Sequence, residues 1–582
     1  MTSASFPPRS LAEGFYWLDR VAGIFTLAEL ALVAIFALLA LVAPRCGRRT
    51  YERIERQLAP LANSKTLQIL AVGLLAILAR AAVLPWMGAP APAVHDEQSL
   101  VLQAQTYMAG RLANPTHPFW EHFETFHLNQ IPAYASMYFP GRGAPLAAGL
   151  LLADHPWAGV WLSFILMCMA AVWMLQGWVS PPLALLGGVL VVIRLGVFSY
   201  WINSYWGGAF TALGAMLVVG ALPRILKVPR WRHGAIMGLG AAILMTTRPY
   251  EGLLICLPVA IAVLARLVRP AWEGGRLAIM KVVLPAALLV GAGGTLLLTY
   301  NAATTGSSFK TPYSLNREAY ANAPAFLTSP PITSQNRGPS YFRDFYKAEA
   351  EFYERRSSPV RMFLSVISKL LYSWNFYIGA IFSIAFFAGL WCARRDYFLL
   401  GTSVFFFAGY ALETWNFPHY TAPVYPIFLI LMMRGFGWLR TYEIRTKPVG
   451  LFLTRAMPTA AIVLLALPIS SIVFGTPPLQ NNSLSSSCCA ISDDNLRSKL
   501  TRQLLASPGR DLVLVKDGKN NPIHFEMIYN EANIDNAEIV WARRLSAEKD
   551  LRLQHYFSDR RVWEFEWLPE TELGYRLSAI KP

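Results

Sequence analysis

Apolar stretches of roughly 18 residues or more recur from near residue 20 to near residue 474, and that length is what a helix needs to cross a bilayer. No other feature narrows the possible folds as much. A chain of 582 residues could otherwise form several soluble domains. With 54% apolar and only 15% charged residues, this one reads as a polytopic membrane protein of all-α class. The spans are expected at about 20–43, 67–87, 155–178, 183–199, 208–222, 234–248, 252–268, 282–299, 366–392, 397–412, 421–434 and 456–474, about twelve in all. Residues 144–153 read either as a separate half-helix or as the start of the third span.

Basic residues set the orientation. They cluster between spans at Arg45–Lys65, Arg224–Arg232, Arg266–Lys281, Arg394-Arg395 and Arg434–Arg455, and all five clusters fall on one face, which is therefore cytoplasmic. The net charge of +16 follows from this topology and from attraction to anionic lipid, so no nucleic-acid partner is implied. The first apolar run is too long for a signal-peptide core and is followed by Arg45, Arg48 and Arg49, so it reads as a retained helix. The six cysteines show no zinc spacing, and the adjacent Cys488 and Cys489 would bond to each other only under strain.

Three regions result. Residues 1–66 hold the first span and a cytoplasmic loop. Residues 67–475 form the transmembrane core, with external loops at 88–143 and 300–362. Residues 476–582 change character: a polar linker at 480–487, an amphipathic helix at 493–506, strands at 511–515 and 537–542, a helix near 546–556 and a strand near 562–565. That alternation predicts a small extracytoplasmic α/β domain. It carries no Gly-rich phosphate loop.

The external face holds the chemistry. Asp96 and Glu97 stand together just beyond the second span. The plain alternative is helix capping, since acidic groups favour a helix N-terminus. The functional reading is a general base at the membrane surface, where partial burial raises a carboxylate towards the working range. Neighbours on a helix point about 100° apart, so one acid serves as base while the other orients it or binds substrate. Arg142, Arg248, Lys310 and His419 lie on the same face. Interfacial snorkelling accounts for Lys310. Arg142 and Arg248 sit at headgroup height, where a lipid-linked phosphate would lie and where Arg binds bidentately. The aromatics Trp120, Phe123, Phe126, Tyr134, Tyr138, Tyr200, Trp201, Tyr205, Trp206, Trp415 and Tyr420 read mostly as an interfacial belt, a few of them as a sugar platform. His95, His117, His122 and His127 read as surface histidines before zinc ligands.

A span, an acidic pair in a large first external loop, and the turn Tyr138-Phe139-Pro140-Gly141 into the next span together resemble the GT-C membrane glycosyltransferases, in their protein O-mannosyltransferase and aminoarabinose-transferase branch (family 39-like). Phe417-Pro418-His419-Tyr420-Thr421-Ala422-Pro423 also resembles that group. The likeness covers roughly residues 67–435. It implies inverting transfer of a sugar from a polyprenyl-phosphate donor to an extracytoplasmic lipid, glycan or protein, at the outer face of the plasma (inner) membrane. Asp96 then matches the catalytic base and Glu97 the second acid. Arg142, Arg248, His419 and Tyr420 are assigned to the donor phosphate, and His95, Tyr138, Trp206, Tyr250 and Glu251 to substrate. No resident metal or cofactor is required, although a divalent cation is compatible. The N-terminal span and the tail depart from the family's pattern. Two other classes compete: a transporter or flippase, which needs charges at mid-membrane, and a non-catalytic scaffold that uses its tail.

Overall fold

The computed structural model describes residues 11–267, 275–335, 337–356, 358–474, 495–516, 526–568 and 574–580. The linker expected at 480–487 and the Cys488-Cys489 pair lie outside the described residues. Membrane-type helices form the body, and residues 88–143, 300–362 and the tail pack on one another.

Among the described residues, five helices are long and apolar enough to cross a membrane, or seven if each of two bent pairs counts as one span. By length and composition, these are fewer spans than the twelve or so expected, several of which are shorter than this criterion requires. Four apolar segments are shorter: Leu27–Val42, Pro181–Leu195, Tyr397–Tyr410 and Tyr425–Leu439. Two boundaries moved for clear reasons. The basic stretch after residue 44, expected as a loop, is a helix (Arg48–Asn63) bent by 113° from Lys65–Ala81. Arg48 and Glu52 pair one turn apart at 2.6 Å, while Ile54 and Leu58 stay exposed. A charged helix with an apolar edge suits a bilayer surface. The stretch 366–392, read as one span, is instead two helices, Pro359–Tyr377 and Gly379–Cys392, meeting at 107°.

Residues 144–153 belong to a separate helix, Pro140–Ala153. Proline at its first position pre-sets the helical φ, and Asp154 in the left-handed region ends it. His155 then caps Trp157 N at 3.2 Å and starts Pro156–Leu175. The two helices cross with their backbones touching, because a Cβ at Gly159 would strike the Pro145 carbonyl.

The tail forms a four-stranded sheet in the order Ile539–Arg543, Arg510–Lys516, Arg560–Trp567, Tyr575–Ala579. The first three strands run parallel and the last antiparallel. This tail is not separate from the first external loop. Leu102, Phe123, Leu128 and Tyr134 of the loop share one apolar core with Leu512, Leu514, Tyr529, Val540, Ala542, Leu553 and Phe557. The second external loop joins through helix Ser340–Glu354, whose Phe342 stacks on Phe126 at 4.0 Å.

Candidate active site

Helix His95–Met108 carries the acidic pair in its first turn. Its start is fixed by Glu97. One carboxylate oxygen accepts Ala93 N (2.7 Å) and Val94 N (3.1 Å), and the other accepts Tyr205 N (2.9 Å). Glu97 is 4% exposed. Burial pushes its carboxyl up to about 7, against the pull of the three amides. Asp96 points the other way. Its side chain is 22% exposed, and Tyr138 donates its hydroxyl to one carboxylate oxygen. Burial and the Asp96 charge hold Tyr138 well above the usual phenol range, so it stays protonated and donates. His127 Nδ1 lies 3.1 Å from the Tyr138 oxygen and 3.7 Å from Asp96 Oδ2. With the phenol proton given to Asp96, Nδ1 is the donor in that contact. From the sequence, His127 reads only as one of the surface histidines. Its spacing gave no signal, because a left-handed turn (φ 59°) at His127 aims the ring.

Of the cationic groups, Arg142 lies beside Tyr138 and Arg248 beside Tyr420. Arg142 stands 5.3 Å from the Tyr138 ring centre and donates to the Trp206 carbonyl at 3.1 Å. Arg248 lies 3.8 Å over the Tyr420 ring and donates to Glu251 Oε1 at 2.6 Å. The two guanidiniums are close enough to repel each other. His419 is 2% exposed. Its backbone N–H donates to the Tyr200 hydroxyl, which in turn donates to its Nδ1, both at 3.0 Å. Burial and the two arginines drive its pKa well down. It is therefore neutral, with its proton on Nε2. The Trp206 ring packs 4.8 Å from it. Among the described residues, two buried donors here, Trp206 Nε1 and Arg248 Nε, have no hydrogen-bond partner. Buried donors are rarely left unmet, and an anion would satisfy them.

The remaining expected residues take other places. His95 meets the Tyr529 hydroxyl at 3.1 Å. Tyr250 donates to the Gly409 carbonyl at 2.8 Å and faces Phe326. Glu251 serves as the partner of Arg248. Lys310 pairs with Glu318 at the surface. His117 contacts Asp535 at 3.0 Å, and His122 the Arg543 carbonyl at 2.8 Å. Among the described residues, no three His, Cys, Asp or Glu side chains gather as a metal site.

No family model and no curated protein matches this sequence. Solved structures do resemble it. The apo form of ArnT from Cupriavidus metallidurans is 12% identical, covering 88% of this chain and 97% of that one at a TM-score of 0.48. The same protein bound to undecaprenyl phosphate gives 12%, 88%, 97% and 0.47. The Archaeoglobus fulgidus oligosaccharyltransferase, in complex with Zn and sulfate, is 11% identical, covering 86% of this chain and 68% of that one at 0.45.

The native pKa of Glu97 exceeds that of an unfolded carboxylate, so the native state holds the extra proton between about pH 4.5 and 7. Stability from this group falls as pH rises through that window and is flat above it. Glu97→Gln removes the titration and gives up at least one of the three amide bonds. Thermal unfolding is expected to show a lower Tm for the variant, with the gap to wild type narrowing from pH 5 to pH 7.5.

Proposed function

We propose that this chain is an integral membrane glycosyltransferase of GT-C type. It moves a sugar from a polyprenyl-phosphate donor to an extracytoplasmic acceptor, with inversion. One observation carries the reading: Tyr138 links the Asp96 carboxylate to the Arg142 guanidinium, with Arg248 and His419 gathered around the neighbouring Tyr420.

Tyr138 occupies Asp96 Oδ1, which leaves Oδ2 to take the proton from an acceptor hydroxyl or amine. That nucleophile attacks the anomeric carbon opposite the phosphate. The bond from carbon to phosphate oxygen breaks, and the polyprenyl phosphate leaves with the electron pair. Arg142, Arg248 and the His419 Nε2–H hold the growing negative charge, and Trp206 Nε1 adds a neutral donor. Glu97 positions the base by fixing the helix start and does not touch the substrate. These steps use the chain's own cations, and a divalent cation is compatible with them. Asp96 and the cationic cluster would lie at the extracytoplasmic face of the plasma membrane.

The test is purified protein in liposomes with a radiolabelled polyprenyl-phosphate sugar and mixed lipid, glycan and peptide acceptors. Label moving onto an acceptor is expected. Label crossing the bilayer unchanged would instead reveal a transporter and overturn the reading. For orientation, a reporter fused after Arg232 is expected to be cytoplasmic, and an external reporter would invert the site's placement.

A further inference from the structure

One ion pair lies within the helices, away from the site just described. Glu29, on helix Leu11–Val42, is 2% exposed and pairs with Arg194 near the end of Pro181–Leu195. Burying two charges among apolar helices is costly, and such groups persist where they have a task. Here every other hydrogen bond of the pair goes to one place, the break between Pro359–Tyr377 and Gly379–Cys392. Arg194 Nη2 donates to the Asn375 carbonyl at 2.5 Å and Nε to the Phe376 carbonyl at 3.2 Å. Glu29 Oε2 accepts Ala380 N at 2.7 Å. The cation thus sits at the carbonyl end of one helix and the carboxylate at the amide end of the next, the sign that each terminus favours. Gly379 turns the chain at φ 66°, and a Cβ there would run into both side chains.

Contacts lead from the break to the cationic cluster. Tyr377 donates its hydroxyl to the Pro418 carbonyl at 2.5 Å. Ser373 Oγ donates to Thr421 Oγ1 at 3.0 Å. The Phe376 ring packs 5.4 Å from Tyr200, the residue whose hydroxyl orients His419. The turn bearing His419 and Tyr420 therefore leans on the last helical turn before the break.

We propose that Glu29 and Arg194 are positioning residues: they clamp the helix break at Gly379 and, through it, set the His419–Tyr420 turn that receives the donor phosphate. The inference rests on the function proposed above. It assigns the N-terminal helix a part in donor recognition, although none of that helix's described side chains enters the site.

A merely stabilising pair and a positioning pair predict different outcomes for the double variant Glu29→Leu/Arg194→Met. Apolar residues of similar volume keep or raise the stability of a buried-pair site, but they cannot bond the break. The Tm is expected to hold while the donor KM rises about tenfold, with kcat and acceptor KM unchanged. A second readout does not depend on catalysis. Cysteines at Ser373→Cys and Thr421→Cys are expected to cross-link on oxidation in the otherwise native chain, read by mass spectrometry of the joined peptide. The yield should fall at least about twofold in the double-variant background. Unchanged donor KM together with unchanged cross-linking would overturn the proposal. If the native chain transfers no sugar, the functional reading fails, and the cross-link alone decides the clamp: a drop upholds it, no drop rejects it. Should the double variant not fold, Glu29→Gln keeps the acceptor for Ala380 N, weakens the pair, and is judged on the same readouts.

Discussion

Asp96→Asn is expected to cut transfer by about 10²–10⁴-fold, the range a positioned general base contributes, while donor affinity and Tm stay at wild-type values. The asparagine carbonyl still accepts the Tyr138 hydroxyl, so the local geometry survives. Only the capacity to take a proton is lost. Donor binding is measured separately, with labelled polyprenyl phosphate in detergent, because Arg142, Arg248 and His419 are untouched. Full activity in the variant would reject Asp96 as the base. Loss of donor binding together with activity would place Asp96 in the donor site instead.

The second large effect concerns Arg248, which neutralises more than the proposed phosphate. It pairs with Glu251, and Glu413 lies close enough to feel both groups. Glu413 is buried, and burial together with Glu251 holds its carboxyl well above the usual range. Arg248→Gln leaves Glu251 buried without its cation, so it should cost about 3–5 kcal/mol of stability and at least about 10²-fold in activity. Adding Glu251→Gln removes the stranded charge. The double variant Arg248→Gln/Glu251→Gln is expected to regain most of the stability and none of the activity. Recovery of both would make the arginine a structural ion only. Unfolding in detergent and initial transfer rates read the two separately.

Much of this arrangement is legible in the chain. Helix-forming apolar runs announce the bundle, since period and length act locally. The tail's helices and first three strands fall where alternation places them, while Tyr575–Ala579 is hidden because its polar residues resemble a loop. Asp96 and Glu97 point apart as adjacent helical residues must. What stays hidden depends on distant contacts. Gly379 is the one local hint that residue 378 breaks a span; the rest of the break is held by Glu29 and Arg194, 351 and 181 or 182 residues earlier in the chain. His127 joins Asp96 through one left-handed residue. Glu97 becomes a clamp because the Tyr205 amide arrives from 108 residues away.

The shared core of the first loop and the tail also sets a timetable. The loop's His95 and His122 find their partners, the Tyr529 hydroxyl and the Arg543 carbonyl, 434 and 421 residues downstream. At ribosomal speed that is a wait of roughly 20–90 s. During that time, half of the loop's apolar core has yet to be made. In the orientation proposed above, a nascent chain exports its carboxylate long before the support for it exists, and the last strands to emerge complete what the second span began.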